Sequence, residues 1–138
     1  MVLKQISVFL ENKAGRLADV TVVLAEAGAN IRAISISDTA DFGILRVIVD
    51  EPDAALEALA RAGFTTRTSE VLSLEIEDKP GALAEVLGVF KAKALNIEYL
   101  YASLEKNANK AVVIFKVEDV ARGLEIARER GLTMAGRF

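Results

Sequence analysis

Cysteine, histidine and tryptophan are absent from this chain of 138 residues, and proline occurs only twice. Without Cys or His there is no thiol nucleophile, no Ser/His/Asp relay, no imidazole acid or base and no zinc site of the usual ligand set. Two-carboxylate hydrolysis survives this elimination because Asp and Glu total 20, yet no pair of them stands apart from ordinary surface acids. The chain is therefore not expected to be an enzyme, and nothing in it calls for a metal or another cofactor. Lys and Arg are scattered among the acids, and the net charge is -3. No basic field exists to neutralise phosphates, so nucleic acid is not an expected partner. No apolar run approaches the ~20 residues of a membrane span, and MVLKQISVFLENK moves directly into a strand pattern without a signal-peptide core. A cytoplasmic protein with no membrane partner is expected. What is present suits a globular fold: 52% hydrophobic and 27% charged residues supply a core and exclude intrinsic disorder.

The chain repeats itself. ENKAGRL at residues 11–17 returns as EDKPGAL at residues 77–83, within a longer match of ISVFLENKAGRLADV to LSLEIEDKPGALAEV. A shift of 66 residues holds from Ile6 through Ser37, then becomes 68, pairing GILRVIVD with AVVIFKVE and LEALARAGF with LEIARERGL. The second copy thus carries two extra residues in the turn ending near Lys110, a place where insertions are tolerated. Two domains follow, residues 1–70 and 71–138.

Each copy changes its hydrophobic period in the same order. Ile6, Val8 and Leu10 alternate as a half-buried strand requires, and Leu17, Val20, Thr21 and Leu24 then fall on one helical stripe that Gly28 ends in a left-handed turn. The second copy has Leu83, Val86, Leu87 and Phe90 on the equivalent stripe. Ile34 and Ile36 begin another strand, DTADFG turns the chain, and ILRVIV reads as a central strand. A second helix through Leu56, Leu59 and Ala60 is closed by Gly63, and FTTRTSEV supplies a fourth strand. TTRTSEVLSLEIE has no Pro or Gly, so the last strand of one copy should run into the first strand of the next. The order β-α-β-β-α-β predicts an α+β fold: two tandem ferredoxin-like units, each an antiparallel four-stranded sheet with two helices on one face. The open edges of such sheets, and strands apolar on both sides, lead us to expect a homodimer, with close packing of the two units as the alternative.

The repeated corner between strand and helix has its own chemistry. Gly15 and Gly81 let the backbone approach a ligand, and the first amides of the helix point outward at its positive end, which suits a carboxylate. Pro80 fits the first helical position, making Lys79 the cap and leaving Asp78 one residue earlier. Asn12 and Asp78 can serve either as capping or turn residues or as ligand contacts. Asn30 and Asn96 have a similar choice between a left-handed turn and a ligand role. Tyr99 and Tyr101, at alternate positions on a strand, read first as packing or interface residues.

These residues carry a resemblance. A strand ending in ENKAGRL or EDKPGAL, an amphipathic helix, and GANI or ALNI opening the next strand resemble the ACT domain, a regulatory ferredoxin-like module attached to many enzymes of amino-acid metabolism. Both copies resemble it, and the whole chain is similar to small stand-alone proteins made of two ACT domains. The resemblance implies a free amino acid held between paired domains, with contacts from the first loop of one domain and the second-strand opening of its neighbour. Carried over, the ligand-binding set is Asn12, Ala14, Gly15, Leu17, Asn30 and Ile31 in the first copy. In the second it is Asp78, Pro80, Gly81, Leu83, Asn96 and Ile97. It also implies a metabolic enzyme as a possible partner. Asp78 would repel a ligand carboxylate where Asn12 would not, so the two sites are not expected to be equivalent.

Other ferredoxin-like modules fit less well. RNA-recognition domains need stacking aromatics with basic neighbours on the central strands, which LRVIVD and VIFKVE lack. Heavy-metal carriers need paired Cys, and acyl-phosphate hydrolysis would rest on Arg16 alone. The rival to amino-acid binding is a ligand-free protein-protein interaction or assembly module.

Overall fold

A computed structural model of the protein describes residues 1–38, 41–107 and 109–135. Its elements follow the order β1 (Val2–Glu11), α1 (Arg16–Glu26), β2 (Ile31–Asp38), β3 (Phe42–Val49), α2 (Pro52–Arg61), β4 (Thr65–Glu77), α3 (Ala82–Ala92), β5 (Ile97–Asn107), β6 (Lys110–Val117), α4 (Val120–Glu129) and β7 (Thr133–Met134). The alternation read from sequence thus appears in both copies. Thr39 and Ala40 of the DTADFG turn, and Ala108 of the turn with the extra residues, lie outside the described residues.

Two compact units divide these elements. One spans Lys4–Ser69, and the other joins Met1–Leu3 to the chain from Glu70 onward. In the first unit β3 is the central strand that ILRVIV predicted, antiparallel to both β1 and β2. Ile6 of β1 and Ile34 of β2 both lie opposite Val47, while Val8 and Ile36 lie opposite Leu45. Period-two alternation sends Ile6, Val8, Leu10, Leu45, Val47 and Val49 to one face, where Val20 and Leu24 of α1 and Ala55 and Leu59 of α2 cover them. Leu17, placed on the buried stripe by its spacing, is 41% exposed instead. It stands in the first turn, beyond the part of α1 that reaches the sheet.

The second unit repeats this plan with a different filling. β6 lies between β4 and β5, so that Leu72 and Leu100 both oppose Phe115. Val86 and Phe90 of α3 and Ile126 and Ala127 of α4 complete the core. The Phe90 and Phe115 rings meet at 5.9 Å between centroids with 53° between planes, a tilted pairing favoured by their quadrupoles. α4 packs against this core through Gly123, where a Cβ would come within 2.8 Å of Leu72 Cδ1 and 3.1 Å of Val117 Cγ2.

The expectation of two open four-stranded sheets is corrected. Instead of two separate strands at the junction of the copies, β4 continues unbroken from Thr65 to Glu77. The cause lies in two features of the chain. Nothing in TTRTSEVLSLEIE interrupts a strand, and the last strand of the second copy is cut down to Thr133 and Met134, opposite Glu75 and Leu74. Alongside it, Met1 accepts the Ser73 amide on its carbonyl at 2.8 Å, while Ser73 accepts the Ala135 amide at 3.0 Å. The N-terminal residues therefore complete a line of backbone bonds that the shortened strand leaves open.

Candidate functional site

The repeated corner starts at the end of β1. The Asn12 amide donates to the Asp41 carbonyl at 3.0 Å, and its counterpart Asp78 donates to Asn109 at 2.8 Å. Both copies thereby tie the loop to the approach of the central strand. Gly15 and Gly81 then adopt φ of +86° and +88° and form the helix caps. No atom lies within 4 Å of a Cβ built on either, so the requirement for glycine there is conformational, not steric.

This geometry revises the expected cap. Gly81, not Lys79, is the cap residue, and Pro80 precedes the helix instead of opening it. Asn12 and Asp78 stand too far upstream to cap, and neither α1 nor α3 has a side-chain cap hydrogen bond. In the first turn of α1, the Arg16 amide reaches the Lys13 carbonyl at 3.4 Å and the Asp19 amide reaches Gly15 at 2.9 Å. Among the described residues, the amides of Leu17 and Ala18 between them have no acceptor, and the same holds for Leu83 and Ala84. Two outward donors at each positive helix end make a fitting seat for an anion.

The second predicted set sits elsewhere. Asn30 donates its amide to Asp50 Oδ1 at 2.8 Å and accepts the Asp50 amide at 3.2 Å. Asn96 and Glu118 reproduce the clamp at 3.0 and 3.1 Å. The left-handed reading of the two Asn residues is corrected, because the non-glycine residue with positive φ among the described residues is Ala94, at 54°. Both Asn side chains remain exposed, and Ile31 and Ile97 beside them are half-buried. Asp50 and Glu118 were missed as clamp residues although they fall at matching places in the repeat, at the ends of GILRVIVD and AVVIFKVE.

Ala14, Gly15, Leu17, Pro80 and Gly81 are exposed beside Asn12 and Asp78, and Leu83 is half-buried. Within either unit the corner and the second-strand opening lie at opposite ends of one helix of 11 residues, about 16 Å apart at 1.5 Å per residue. The structure therefore gathers each set within itself but does not bring the two together inside a unit. Asn96 and Ile97 line a cleft of about 440 Å³ with Leu87, Phe90 and Lys91. A larger cleft of about 510 Å³ between α1 and α2, lined by Val23, Ala27, Ala58 and Arg61, holds none of the predicted residues.

A doubled strand-corner-helix with a left-handed glycine at each cap is the feature to set against known proteins. Residues 1–135 match the family described as an ACT domain pair. The chain belongs to that family. Among solved structures, the ACT pair is similar to protein BT0572 from Bacteroides thetaiotaomicron, at 41% identity over 98% of this chain and 92% of that one, with a TM-score of 0.92. It shares its fold with the regulatory subunit of aspartate kinase from Thermus thermophilus in its ligand-free form, at 20% identity, 94% and 96% coverage and a TM-score of 0.65. The corresponding subunit from Thermus flavus gives 19%, 91%, 90% and 0.62. No curated protein matches.

Electrostatics distinguish the two corners of the ACT pair. Lys13 pairs with Glu11 at 3.1 Å and Lys79 with Glu77 at 2.7 Å. In each case the lysine's hydrogen bond, and then its charge, holds the glutamate below the usual carboxylate range. Glu77 correspondingly raises Lys79. Once these pairs cancel, the second corner retains the acid Asp78. The first has neutral Asn12 and adds Arg16, whose guanidinium lies 4.7 Å over the Phe64 ring. Ala82 stands at the equivalent position in the second copy and is buried. Among the described residues no helix is long and apolar enough to cross a membrane.

Proposed function

We propose that this ACT pair is a catalytically inert, cytoplasmic regulator that binds a free amino acid and thereby favours one arrangement of its assembly. The observation that carries this reading is the pair of unclaimed amides at each corner, behind a left-handed glycine and without a side-chain cap. A ligand carboxylate would complete what the chain leaves unfinished. Asn12, Ala14, Gly15 and Leu17, or Asp78, Pro80, Gly81 and Leu83, form the corner half of the site. Asn30 and Ile31, or Asn96 and Ile97, form the other half.

Because these halves occupy opposite ends of a helix within a unit, a ligand touching both takes one from each of two ACT domains. That supports residues 1–70 and 71–138 as separate domains in the binding sense, and a homodimer as a source of pairing. The Thermus proteins of like fold are regulatory subunits of a metabolic enzyme, which makes an enzyme of amino-acid metabolism a sensible partner. A ligand shifts such an assembly only by its difference in affinity between arrangements.

Melting the protein with each common amino acid in turn tests the reading. A ligand at about 100 times its Kd should add about 2.7 kcal/mol of stability. No shift with any of them would instead favour a ligand-free interaction module, the reading supported by exposed Val22, Phe42 and Leu104.

A further inference from the structure

Three of the six phenylalanines in the chain gather around one recess of the first unit. Phe9, Phe42 and Phe64 line a cleft of about 180 Å³ together with Glu11, Arg16 and Thr65. Two of these rings remain open to solvent, Phe9 at 37% and Phe42 at 56% exposure, while Phe64 is buried beneath Arg16. Folding alone gains little from aromatic surface left in water. Glu11 and Arg16 bracket the corner loop and put one charge of each sign at the same recess. Arg16 reaches Asp19 at 3.4 Å, and its Nε is buried without an acceptor among the described residues.

The second unit keeps the glutamate and the threonine, as Glu77 and Thr133, and lacks the other parts. Glu75 and Lys110 replace Phe9 and Phe42 and form an ion pair at 3.4 Å. Ala82 replaces Arg16, and Leu132 replaces Phe64. The same frame therefore folds with a charged pair where the first unit keeps solvent-exposed rings, so the rings are not a demand of the fold.

We propose that this recess selects a zwitterionic amino acid with an aromatic or branched aliphatic side chain. The Arg16 guanidinium and the free α1 amides take the carboxylate, Glu11 turns from Lys13 to the ammonium, and the phenyl walls take the side chain. The chemistry matches the usual anatomy of small-molecule sites, apolar walls with a few convergent polar groups. The volume is that of a metabolite, below the range of drug-sized pockets. This inference rests on the corner being an amino-acid site, and it names the class of amino acid and confines the selection to the first unit.

Titration calorimetry with L-phenylalanine, L-leucine, L-aspartate and L-lysine tests it on the full chain. The first two should bind at least about tenfold more tightly than the others, the scale by which apolar pockets discriminate. The double variant Phe9→Glu, Phe42→Lys imports the second unit's ion pair and should lose that preference while keeping its circular dichroism spectrum. Phe42→Ser, at a more exposed site, should weaken the apolar ligands in the same direction if the double variant does not fold. Arg16→Gln should weaken every amino acid that binds. Undiminished binding of L-phenylalanine and L-leucine by the ring variants would overturn the proposal, as would tighter binding of L-aspartate or L-lysine by the unaltered chain. In either case the corner reading would stand, whereas no binding by any amino acid would overturn both.

Discussion

The two units use one frame and distribute their aromatic residues in opposite ways. In the first, Leu24 and Val47 fill the core while Phe9 and Phe42 stand at the surface. In the second, Phe90 and Phe115 occupy the places of Leu24 and Val47, fully buried, and charged residues take the surface positions. Gly123, which stands where the first unit has the buried Ala55, lets α4 come close to Leu72, Val117 and Leu95. The difference teaches that a repeated fold conserves total filling instead of particular side chains. It also shows where the first unit has surface to give to a ligand.

Truncation of the cores should break the symmetry most. Phe90→Ala is expected to cost about 3 to 5 kcal/mol, and Leu24→Ala about 2 to 5 kcal/mol. Tyr99 and Tyr101 are the two tyrosines, and tryptophan is absent, so tyrosine emission reports the second unit while circular dichroism reports both. In urea, Phe90→Ala should lower the midpoint of the tyrosine signal more than Leu24→Ala does. An equal drop would remove the ring pair from the explanation.

Filling the space at Gly123 comes next. Gly123→Val should destabilise by about 1 to 3 kcal/mol, the usual cost of overpacking, because its Cβ already meets Leu72 and Val117 before the branches are added. A variant as stable as the parent would show that α4 simply moves outward. Smaller still is the exchange at the ends of α1 and α3. Ala94 holds a left-handed φ of 54° where the first unit has Gly28 at 71°. Ala94→Gly should add roughly 0.5 to 1 kcal/mol, the relief of strain less the entropy of a freer unfolded chain. Thermal midpoints that do not rise would mean the strain is already absorbed elsewhere.

The smallest effect separates the corners by pH. Lowered carboxylate values for Glu11 and Glu77 mean stability that is present above the ordinary range and lost as pH falls through the folded-state values. The raised Lys79 acts conversely: its contribution is present below the ordinary lysine value and fades as pH climbs through the raised one. Lys13→Met and Lys79→Met should each flatten the fall in urea midpoint between about pH 5 and about pH 3. Both pairs are more than half exposed, so the change will be slight. Unequal flattening would show that the matching geometries are not matching energies.

Much of the frame was legible because periodicity is a local signal. Ile6, Val8 and Leu10 announce their strand, Gly28 and Gly63 do end helices in left-handed turns, and the unbroken TTRTSEVLSLEIE does form one strand. The backbone bonds of Ser73 were not legible, because they join Met1 and Ala135 from distant parts of the chain, and no local pattern encodes such partners. Leu17 fitted the helical stripe, but only the depth of the sheet decides how far along α1 burial extends. The bend from strand to helix was legible in both copies, yet its cap was misplaced. Pro80 suits a first helical position, and the left-handed turn at Gly81 postponed the helix. Asn30 and Asn96 were noticed for their side chains, whereas the geometry engages their backbones through acids roughly twenty residues downstream. The ring cluster of the recess escaped because Phe9 and Phe42 lie on different strands and Phe64 in the link between α2 and β4.

The bond between Met1 and Ser73 bears on how the molecule is made. Its two ends are separated by 72 residues, so at ribosomal speeds of about 5 to 20 residues per second the opening segment waits several seconds for its mate. Lys4 through Ser69 can condense during that delay, while the preceding three residues stay uncommitted until the later half emerges. A product made of Glu70 onward alone would consequently lack Met1–Leu3, three residues that belong to its own compact unit.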